Sequence, residues 1–262
     1  MAILLECLGE LMDGLHGNYQ YKIVERIGQG GFGYVERIEL FNSVGVFCGY
    51  YARKCLLGEF EEEQEEFKRR FAREVTYQAS CVHTNVANIY LCDLNSPSPW
   101  FIMDLADGDL HKDLMGGRLN FAEKISAFDM VLQGVAHIHE HKYLHRDIKP
   151  NNVLRFGNTY KVSDFGLVKN QDTAAESEVL TKITSVMGTQ KYWAPEVSAA
   201  AQYSVASDIY SLGVLLEDME FPEETGILRV LRKSTERRPL DRYTTVQAMR
   251  DDFIIASKDL AK

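Results

Sequence analysis

One stretch decides the fold: His145-Arg146-Asp147-Ile148-Lys149-Pro150-Asn151-Asn152-Val153-Leu154. Pro150 has a fixed φ and no backbone N–H, and it disfavours helix at Lys149, so this stretch is predicted to be a loop leading into a strand at 153–155. An isolated Asp in such a loop is usually a turn or cap residue. Asp147 is not isolated, because Asn152 follows five residues later and Asp164-Phe165-Gly166 begins twelve residues after Asn152. This spacing favours a functional loop over a simple turn.

His-Arg-Asp followed by Asn at this distance resembles the catalytic loop of the eukaryotic-type (Hanks-type) Ser/Thr protein kinase family. The resemblance covers about residues 19–255. It implies an α+β, two-lobed protein kinase fold, with a small, mostly antiparallel-sheet N-lobe and a helical C-lobe. The predicted organisation is a single kinase domain: an N-terminal amphipathic helix at 1–18, the N-lobe at 19–103, and the hinge with the C-lobe at 104–262.

Composition limits the classes of protein to which the chain can belong. Its 262 residues, 45% of them hydrophobic and 26% charged, are typical of a soluble globular protein. A net charge of −9 disfavours nucleic-acid and anionic-membrane partners. The five cysteines form no CxxC pair and fit a reducing compartment, so a cytoplasmic location is expected. No apolar run approaches the ~20 residues of a membrane-spanning helix.

The N-terminal segment is predicted to form an amphipathic helix over 3–15. Its polar side is acidic, which argues against a membrane anchor. Its apolar side consists of Ile3, Leu4, Leu8, Leu11, Met12 and Leu15. Two interpretations remain: a helix packed on the N-lobe, or a contact with a second copy or another partner.

A glycine-rich segment, Gly28-Gln29-Gly30-Gly31-Phe32-Gly33, follows a predicted strand at 21–27. Dinucleotide-binding folds share this pattern, but there a helix follows the glycines. Residues 34–41 instead alternate and are rich in strand formers, so the glycines are predicted to lie in a hairpin between two strands. A loop without Cβ atoms can approach phosphate groups closely. The kinase resemblance assigns this role to Gly28, Gly30 and Gly33.

The next predicted strand, 46–57, contains Lys54. By resemblance, Lys54 is the ligand of the α- and β-phosphates, and Arg53 should point to the opposite face because neighbouring strand residues alternate. A helix follows, with Phe67, Phe71 and Val75 on its buried side. Its Glu74 is assigned by resemblance as the ion-pair partner of Lys54.

The resemblance also implies a nucleotide pocket. Residues 104–110 would form the hinge, with Met103 as gatekeeper before it, and Asp109 (or Asp107) could meet the ribose, although such carboxylates more often cap a helix. The residues assigned to the pocket besides the glycines and Lys54 are Val35, Ala52, Met103, Asp104, Ala106, Asp109 and Leu154.

Phosphoryl-transfer chemistry gives the loop residues their predicted roles. Asp147 would orient the substrate hydroxyl and accept its proton, and Lys149 would neutralise the transferring phosphoryl group. Asn152 and Asp164 would bind Mg²⁺ through hard oxygens, which this ion prefers. In the family, Lys two residues after the Asp is typical of Ser/Thr kinases.

A helix after Asn120 is predicted from a capping box with Glu123. His137, His139 and His141 alternate near its end. Residues two apart do not share a helix face, so a metal site is disfavoured, and a helix C-terminus favours His in any case.

The activation segment is predicted to run from Asp164 to Glu196, and its phosphosite candidates are Thr181, Thr184 and Ser185. By resemblance, Arg146 would hold an activating phosphate. The structural residues implied by the family are Thr189 near Asp147, Asp208 bracing the catalytic loop, and Arg238 paired with Glu196. Only thirty residues separate Asp208 from Arg238, about half the family's usual stretch, so the late C-lobe is shortened and 221–234 is interpreted as a replacement segment.

The resulting prediction is ATP- and Mg²⁺-dependent transfer of the γ-phosphate to Ser/Thr hydroxyls of protein substrates, with autophosphorylation in the activation segment. The expected partners are a protein substrate and a second copy of the chain for phosphorylation in trans. Two alternatives stay open: a pseudokinase-like ATP-binding scaffold, which should lack Lys54, Asp147 or Asp164, and a small-molecule phosphotransferase, which should lack the segment 188–196.

Overall fold

The computed structural model describes residues 12–30, 33–57, 64–170, 190–222 and 225–258. The chain divides into two compact units, the first made of residues up to 79 together with 88–105, and the second of 80–87 and everything from 106 onward. The predicted boundary between residues 103 and 104 therefore lies two residues before the structural boundary. The sequence analysis did not predict that residues 80–87 belong to the second unit.

The first unit is an antiparallel sheet with one long helix. The six strands are arranged in the order β1-β2-β3-β4-β6-β5. Their bounds are β1 Gly14–His16, β2 Tyr19–Gln29, β3 Gly33–Asn42, β4 Phe47–Leu56, β5 Ile89–Asp93 and β6 Trp100–Asp104, and helix α1 is Gln64–Ser80. Each strand pairs antiparallel with its neighbours.

The predicted N-terminal helix is wrong at its C-terminal end. Gly14–His16 is a strand that pairs with β2, with Gly14 opposite Tyr21. Gly17 has a φ of 58°, which suits glycine and lets the chain turn back immediately into β2. The hairpin thus provides backbone hydrogen bonds that a helix could not make at this position. Residues 3–11 of the predicted helix lie outside the described residues.

One face of this sheet is a hydrophobic core that also contains a buried ion pair. The core residues include Ile38, Leu40, Cys55, Trp100 and Ile102. Arg53, only 8% exposed, donates to the Glu36 carboxylate at 2.6 and 3.1 Å and also to the Tyr21 hydroxyl. The ion pair lies on the opposite side of β4 from Lys54, as the strand alternation predicts.

The second unit is mainly helical. Its helices are α2 Leu110–Met115, α3 Phe121–Glu140, α4 Pro195–Ala200, α5 Val205–Asp218, α6 Ile227–Ser234 and α7 Val246–Ser257. Its short strands are β7 Gly108–Asp109, β8 Tyr143–Leu144, β9 Val153–Phe156, β10 Thr159–Val162 and β11 Lys169–Asn170. The predicted α+β class, with an antiparallel-sheet N-lobe and a helical C-lobe, is confirmed.

Helix α3 organises the second unit. Asn120 caps it, accepting from the Glu123 N–H at 3.0 Å while Glu123 accepts from the Asn120 N–H at 2.8 Å, which is the predicted capping box. Phe128 of α3 packs edge-on against Phe253 of α7, with ring centroids 4.8 Å apart. Helices α5, α6 and α7 complete this part of the unit, with α6 lying in the segment interpreted as a replacement. Within the described residues, no helix combines the length and apolar character needed to cross a bilayer.

Three histidine rings lie together where α3 ends: the rings of His83 and His137 are stacked, and that of His141 is tilted against His137. The ring of His137 lies 4.8 Å from that of His83 and 4.4 Å from that of His141. Burial lowers the pKa of His83, and burial, reinforced by the neighbouring rings, lowers the pKa of His137. A lowered folded-state pKa means that the unfolded chain takes up protons first as the pH falls, so the neutral rings stabilise the fold above about pH 6.5 and that contribution is lost below it.

We therefore expect the melting temperature to fall by a few degrees from about pH 7.5 to about pH 5.5, and His137→Gln to reduce this fall. Thermal unfolding followed by circular dichroism at both pH values measures it. His111→Gln, at an exposed position outside the cluster, is the control and should behave like the wild type. An unchanged pH dependence in His137→Gln would show that these rings do not control acid stability.

Candidate active site

Asp208 of α5 holds the start of the loop 145–152 by hydrogen bonds to its backbone. The Asp208 carboxylate accepts the backbone N–H groups of His145 and Arg146 at 2.8 and 2.9 Å. It also accepts Nε2–H of His139 at 2.8 Å. Burial alone would raise the pKa of Asp208, but the hydrogen bond and charge of His139, with His145 and the Arg146 N–H, bring it below its ordinary value. A buried anion thus fixes the start of the catalytic loop.

His139 is a site residue that the sequence analysis missed. The three alternating histidines were considered only as metal ligands, and nothing in their spacing indicates which of them faces a residue 69 positions away. Helix packing makes that choice, because α3 and α5 both belong to the second unit and place His139 beside Asp208.

Asp147, Lys149 and Asn152 meet at one carboxylate oxygen. Oδ2 of Asp147 accepts Nζ of Lys149 at 2.8 Å and Nδ2 of Asn152 at 2.8 Å. Nδ2 of Asn152 also donates to the Asp147 carbonyl at 2.8 Å. The turn Pro150–Asn152 brings Asn152 back over Asp147. The loop therefore closes on itself, with the Asp147 carboxylate, the Lys149 ammonium group and the Asn152 amide in direct contact.

Asp164 is joined to this loop through its neighbour. Ser163 donates its N–H and hydroxyl to the Asn152 carbonyl at 2.9 and 3.0 Å. Asp164 itself has a left-handed backbone, with φ 63° and ψ 75°. The ring of buried Phe165 contacts that of His145 edge-on at 5.5 Å. Because Nδ2 of Asn152 is used on Asp147, its oxygen is the atom left for a cation, and that oxygen and the Asp164 carboxylate are the hard donors that suit Mg²⁺.

The first unit contains a pair of charged side chains of its own. Nζ of Lys54 on β4 lies 2.5 Å from Oε1 of Glu74 on α1. The Glu74 side chain is 5% exposed and that of Lys54 is 21% exposed. Val35 of β3 is directly opposite Lys54 in the sheet, and Ala52 is buried one step along the same face. The predicted partner of Lys54 is therefore the one that the fold supplies.

The glycine segment forms a hairpin and not the start of a helix. Gly28 lies near the end of β2, the N–H of Gly30 donates to the Gly33 carbonyl at 2.8 Å, and Gly33 begins β3. A Cβ on Gly33 would collide with the Cys55 carbonyl, so only glycine fits there. Residues 31–32 lie outside the described residues.

The predicted nucleotide residues fall in both units. Met103 and Asp104 end β6, where Asp104 accepts the Tyr90 hydroxyl at 2.6 Å. Ala106 belongs to the second unit, where Leu154 of β9 pairs with Asp109. Asp109 caps α2 by accepting the Lys112 N–H at 2.9 Å, which is the alternative role considered for it. A contact of these residues with nucleotide stays a prediction.

The predicted partner of Glu196 is wrong. Arg242, and not Arg238, makes the bidentate pair, with Nη1 and Nη2 at 2.7 and 2.9 Å from the two carboxylate oxygens. The Arg238 side chain is 75% exposed and lies 3.7 Å from Asp241, whereas that of Arg242 is fully buried. The short helical turn Pro239–Asp241 separates the two arginines and directs only the second one inward. Four predicted residues, Thr181, Thr184, Ser185 and Thr189, lie outside the described residues.

A sequence comparison places this fold and site in a family. The protein kinase domain family matches residues 21–224, more than half of the chain, and the chain belongs to that family. Serine/threonine-protein kinase PrkC of Bacillus subtilis is 28% identical over 89% of this chain and 40% of its own length. A probable serine/threonine-protein kinase of Clostridium perfringens is 31% identical over 76% of this chain and 28% of its own length. Aurora kinase of Eremothecium gossypii is 28% identical over 82% of this chain and 58% of its own length.

The match is thus to a part of each relative. This chain spans between about a quarter and three fifths of the length of these proteins. The family match ends at residue 224, before α6 begins, which coincides with the shortened part of the C-lobe.

Proposed function

We propose that the chain is a protein Ser/Thr kinase, which transfers the γ-phosphate of ATP to Ser or Thr hydroxyls of proteins with the help of Mg²⁺. The observation that carries the proposal is the closed contact of Asp147 with Lys149 and Asn152. This contact supports the proposal because it joins a carboxylate, a cation and an amide within one loop, and phosphoryl transfer needs a proton acceptor, a positive charge and a metal ligand.

Each residue of the loop would have one role in the transfer of the phosphoryl group. Bound ATP supplies the phosphoryl group, and Mg²⁺ offsets its charge. Asp147 orients the acceptor hydroxyl and takes its proton as oxygen bonds to the γ-phosphorus and the bond to the bridging oxygen of ADP breaks. Lys149 offsets the negative charge of the transferring group. Asn152 and Asp164 would hold the metal through their side-chain oxygens.

The kinase resemblance assigns Lys54 and Glu74 of the first unit to the same reaction. Lys54 would contact the α- and β-phosphates, and Glu74, almost fully buried, fixes the ammonium group in place. Preference for Ser and Thr is supported by Lys149 two residues after Asp147, and the names of the relatives agree with it. A second copy of the chain is the proposed first substrate, with Thr181, Thr184 and Ser185 as acceptors.

The test is incubation of the purified chain with Mg²⁺ and γ-labelled ATP, followed by phosphoamino-acid analysis and mapping of the labelled site. Phosphoserine or phosphothreonine in the chain, or in an added protein such as casein, is the expected product. Phosphotyrosine as the main product would refute the Ser/Thr assignment. ATP binding without any transfer would favour the scaffold alternative, and labelling of only small hydroxyl compounds would favour the small-molecule one.

Glu74→Gln is expected to lower kcat/KM for ATP by about tenfold, because the Lys54 ammonium loses the charged partner that positions it. Steady-state transfer rates at varied ATP concentration measure the effect. Glu65→Gln, on the exposed side of the same helix, is the matched control and should leave the kinetics unchanged. Equal kcat/KM values for ATP in Glu74→Gln and Glu65→Gln would show that the Lys54–Glu74 ion pair does not contribute to the reaction.

A further inference from the structure

Arg146, next to Asp147, is held by an aromatic ring. Its guanidinium carbon lies 3.8 Å from the centroid of the Tyr203 ring. The residue is 5% exposed and adopts a left-handed backbone, with φ 68°. Its Nε has no hydrogen-bond partner within the described residues. Among those residues, the face of Tyr203 is therefore a direct contact of a guanidinium group whose Nε makes no hydrogen bond.

The loop carrying Tyr203 is fixed at both ends. Before it, the N–H of Gln202 donates to the Glu196 carbonyl at 3.3 Å. After it, Ser204 donates its N–H to the Ser207 hydroxyl at 2.9 Å, and that hydroxyl donates back to the Ser204 carbonyl at 2.7 Å. Glu196 is itself clamped by Arg242. A continuous set of contacts thus runs from the Glu196–Arg242 pair to the ring under Arg146.

The ring can act on the catalytic loop through Arg146. The backbone of Arg146 is fixed by Asp208, but its side chain is long and rotates about several bonds. Because Asp147 is the next residue, an Arg146 side chain that moves would pull on the peptide bond that sets the direction of the Asp147 carboxylate. Stacking on a partly desolvated aromatic face opposes that motion, and such contacts are worth about threefold to tenfold in an equilibrium.

We propose that Tyr203 is a positioning residue for the catalytic loop, which holds Arg146, and through it Asp147, by the face of its ring. This inference rests on the proposed kinase function. The hydroxyl group has no part in it, so Tyr203→Phe should retain the effect and Tyr203→Leu should lose it.

The experiment compares Tyr203→Phe and Tyr203→Leu, each alone and combined with Arg146→Met. Casein phosphorylation gives kcat and KM for ATP, and urea unfolding of the same proteins gives stability. Tyr203→Leu is expected to lower kcat about threefold to tenfold with KM for ATP unchanged. Tyr203→Phe should stay within about twofold of the wild type, and Tyr203→Leu should add little to Arg146→Met.

Three results would overturn the proposal. They are an unchanged kcat in Tyr203→Leu, a loss of kcat in Tyr203→Phe equal to that in Tyr203→Leu, or the same loss of kcat on Tyr203→Leu substitution in the wild type and in Arg146→Met. If the wild type transfers no phosphate, the proposed function has failed and the unfolding data decide instead. A coupling of about threefold between Arg146 and Tyr203 in the unfolding equilibrium would then support the contact, and independent effects would refute it.

Discussion

Asp147→Asn is expected to lower the rate of phosphate transfer by about 10²–10⁴-fold and to leave ATP binding intact. The amide has nearly the shape of the carboxylate but cannot take a proton from the substrate hydroxyl. It also presents an NH₂ or a neutral oxygen to Lys149 and Asn152, which now donate to a charged oxygen at 2.8 Å. Radiolabel transfer to casein measures the rate, and fluorescent-nucleotide titration measures binding.

Asp251→Asn is the matched control, since that carboxylate is exposed on α7, accepts a hydrogen bond from Gln247 and lies outside the loop 145–152. It should keep the wild-type rate. Transfer by Asp147→Asn at more than about a tenth of the wild-type rate would show that another group takes the proton. Loss of nucleotide binding together with rate would indicate damage to the loop rather than to its chemistry.

Arg242→Met is expected to destabilise the chain by about 3 kcal/mol, because it leaves the Glu196 carboxylate, whose side chain is only 13% exposed, without its counter-charge. The guanidinium group also donates to three backbone carbonyls, those of Ala206, Glu236 and Arg237, at 2.7–3.2 Å. These acceptors would lose their partner at the same time. Urea unfolding measures the difference in the free energy of unfolding.

Arg238→Met provides the control, because its side chain is 75% exposed and pairs only weakly with Asp241. Exposed substitutions of this kind usually change stability by less than about 0.5 kcal/mol. Adding Glu196→Gln to Arg242→Met should recover part of the loss, since the uncompensated charge is then removed. Equal effects of the two arginine substitutions would mean that the buried pair does not hold this part of the second unit together.

The two arginines also show where sequence reasoning stops. Arg238 and Arg242 lie on either side of the short turn Pro239–Asp241. Which arginine is buried depends on the path of a single helical turn. The number of residues after Asp208 could not identify the partner of Glu196, because this segment is shorter than is usual in the family. Asp147 and Asn152 were assigned to one loop because only five residues separate them, and the structure shows that this loop closes locally, with the two side chains in contact.

Periodicity was reliable in strands and unreliable at the N-terminus. Alternation along β4 placed Arg53 and Lys54 on opposite faces, since each strand residue has only two directions. The spacing of the apolar residues at 3–15 fits a helix, yet Gly14 and Gly17 favour a hairpin at the C-terminal end of this segment. His139 shows a third limit, because its contact with Asp208 joins two helices that are distant in the sequence.

The opposite faces of Arg53 and Lys54 have a consequence for how the sheet assembles. A slip of β4 by one residue would exchange the two cations, and each would still meet a carboxylate. The slipped state is nevertheless poor, because it would also move the buried side chains of Ala52 and Cys55 to the opposite faces. It would also replace the planar guanidinium group, whose nitrogens are spread over Glu36 and the Tyr21 hydroxyl, by one compact ammonium group. Arg53 therefore favours the native register of β4, which is the register in which Lys54 pairs with Glu74.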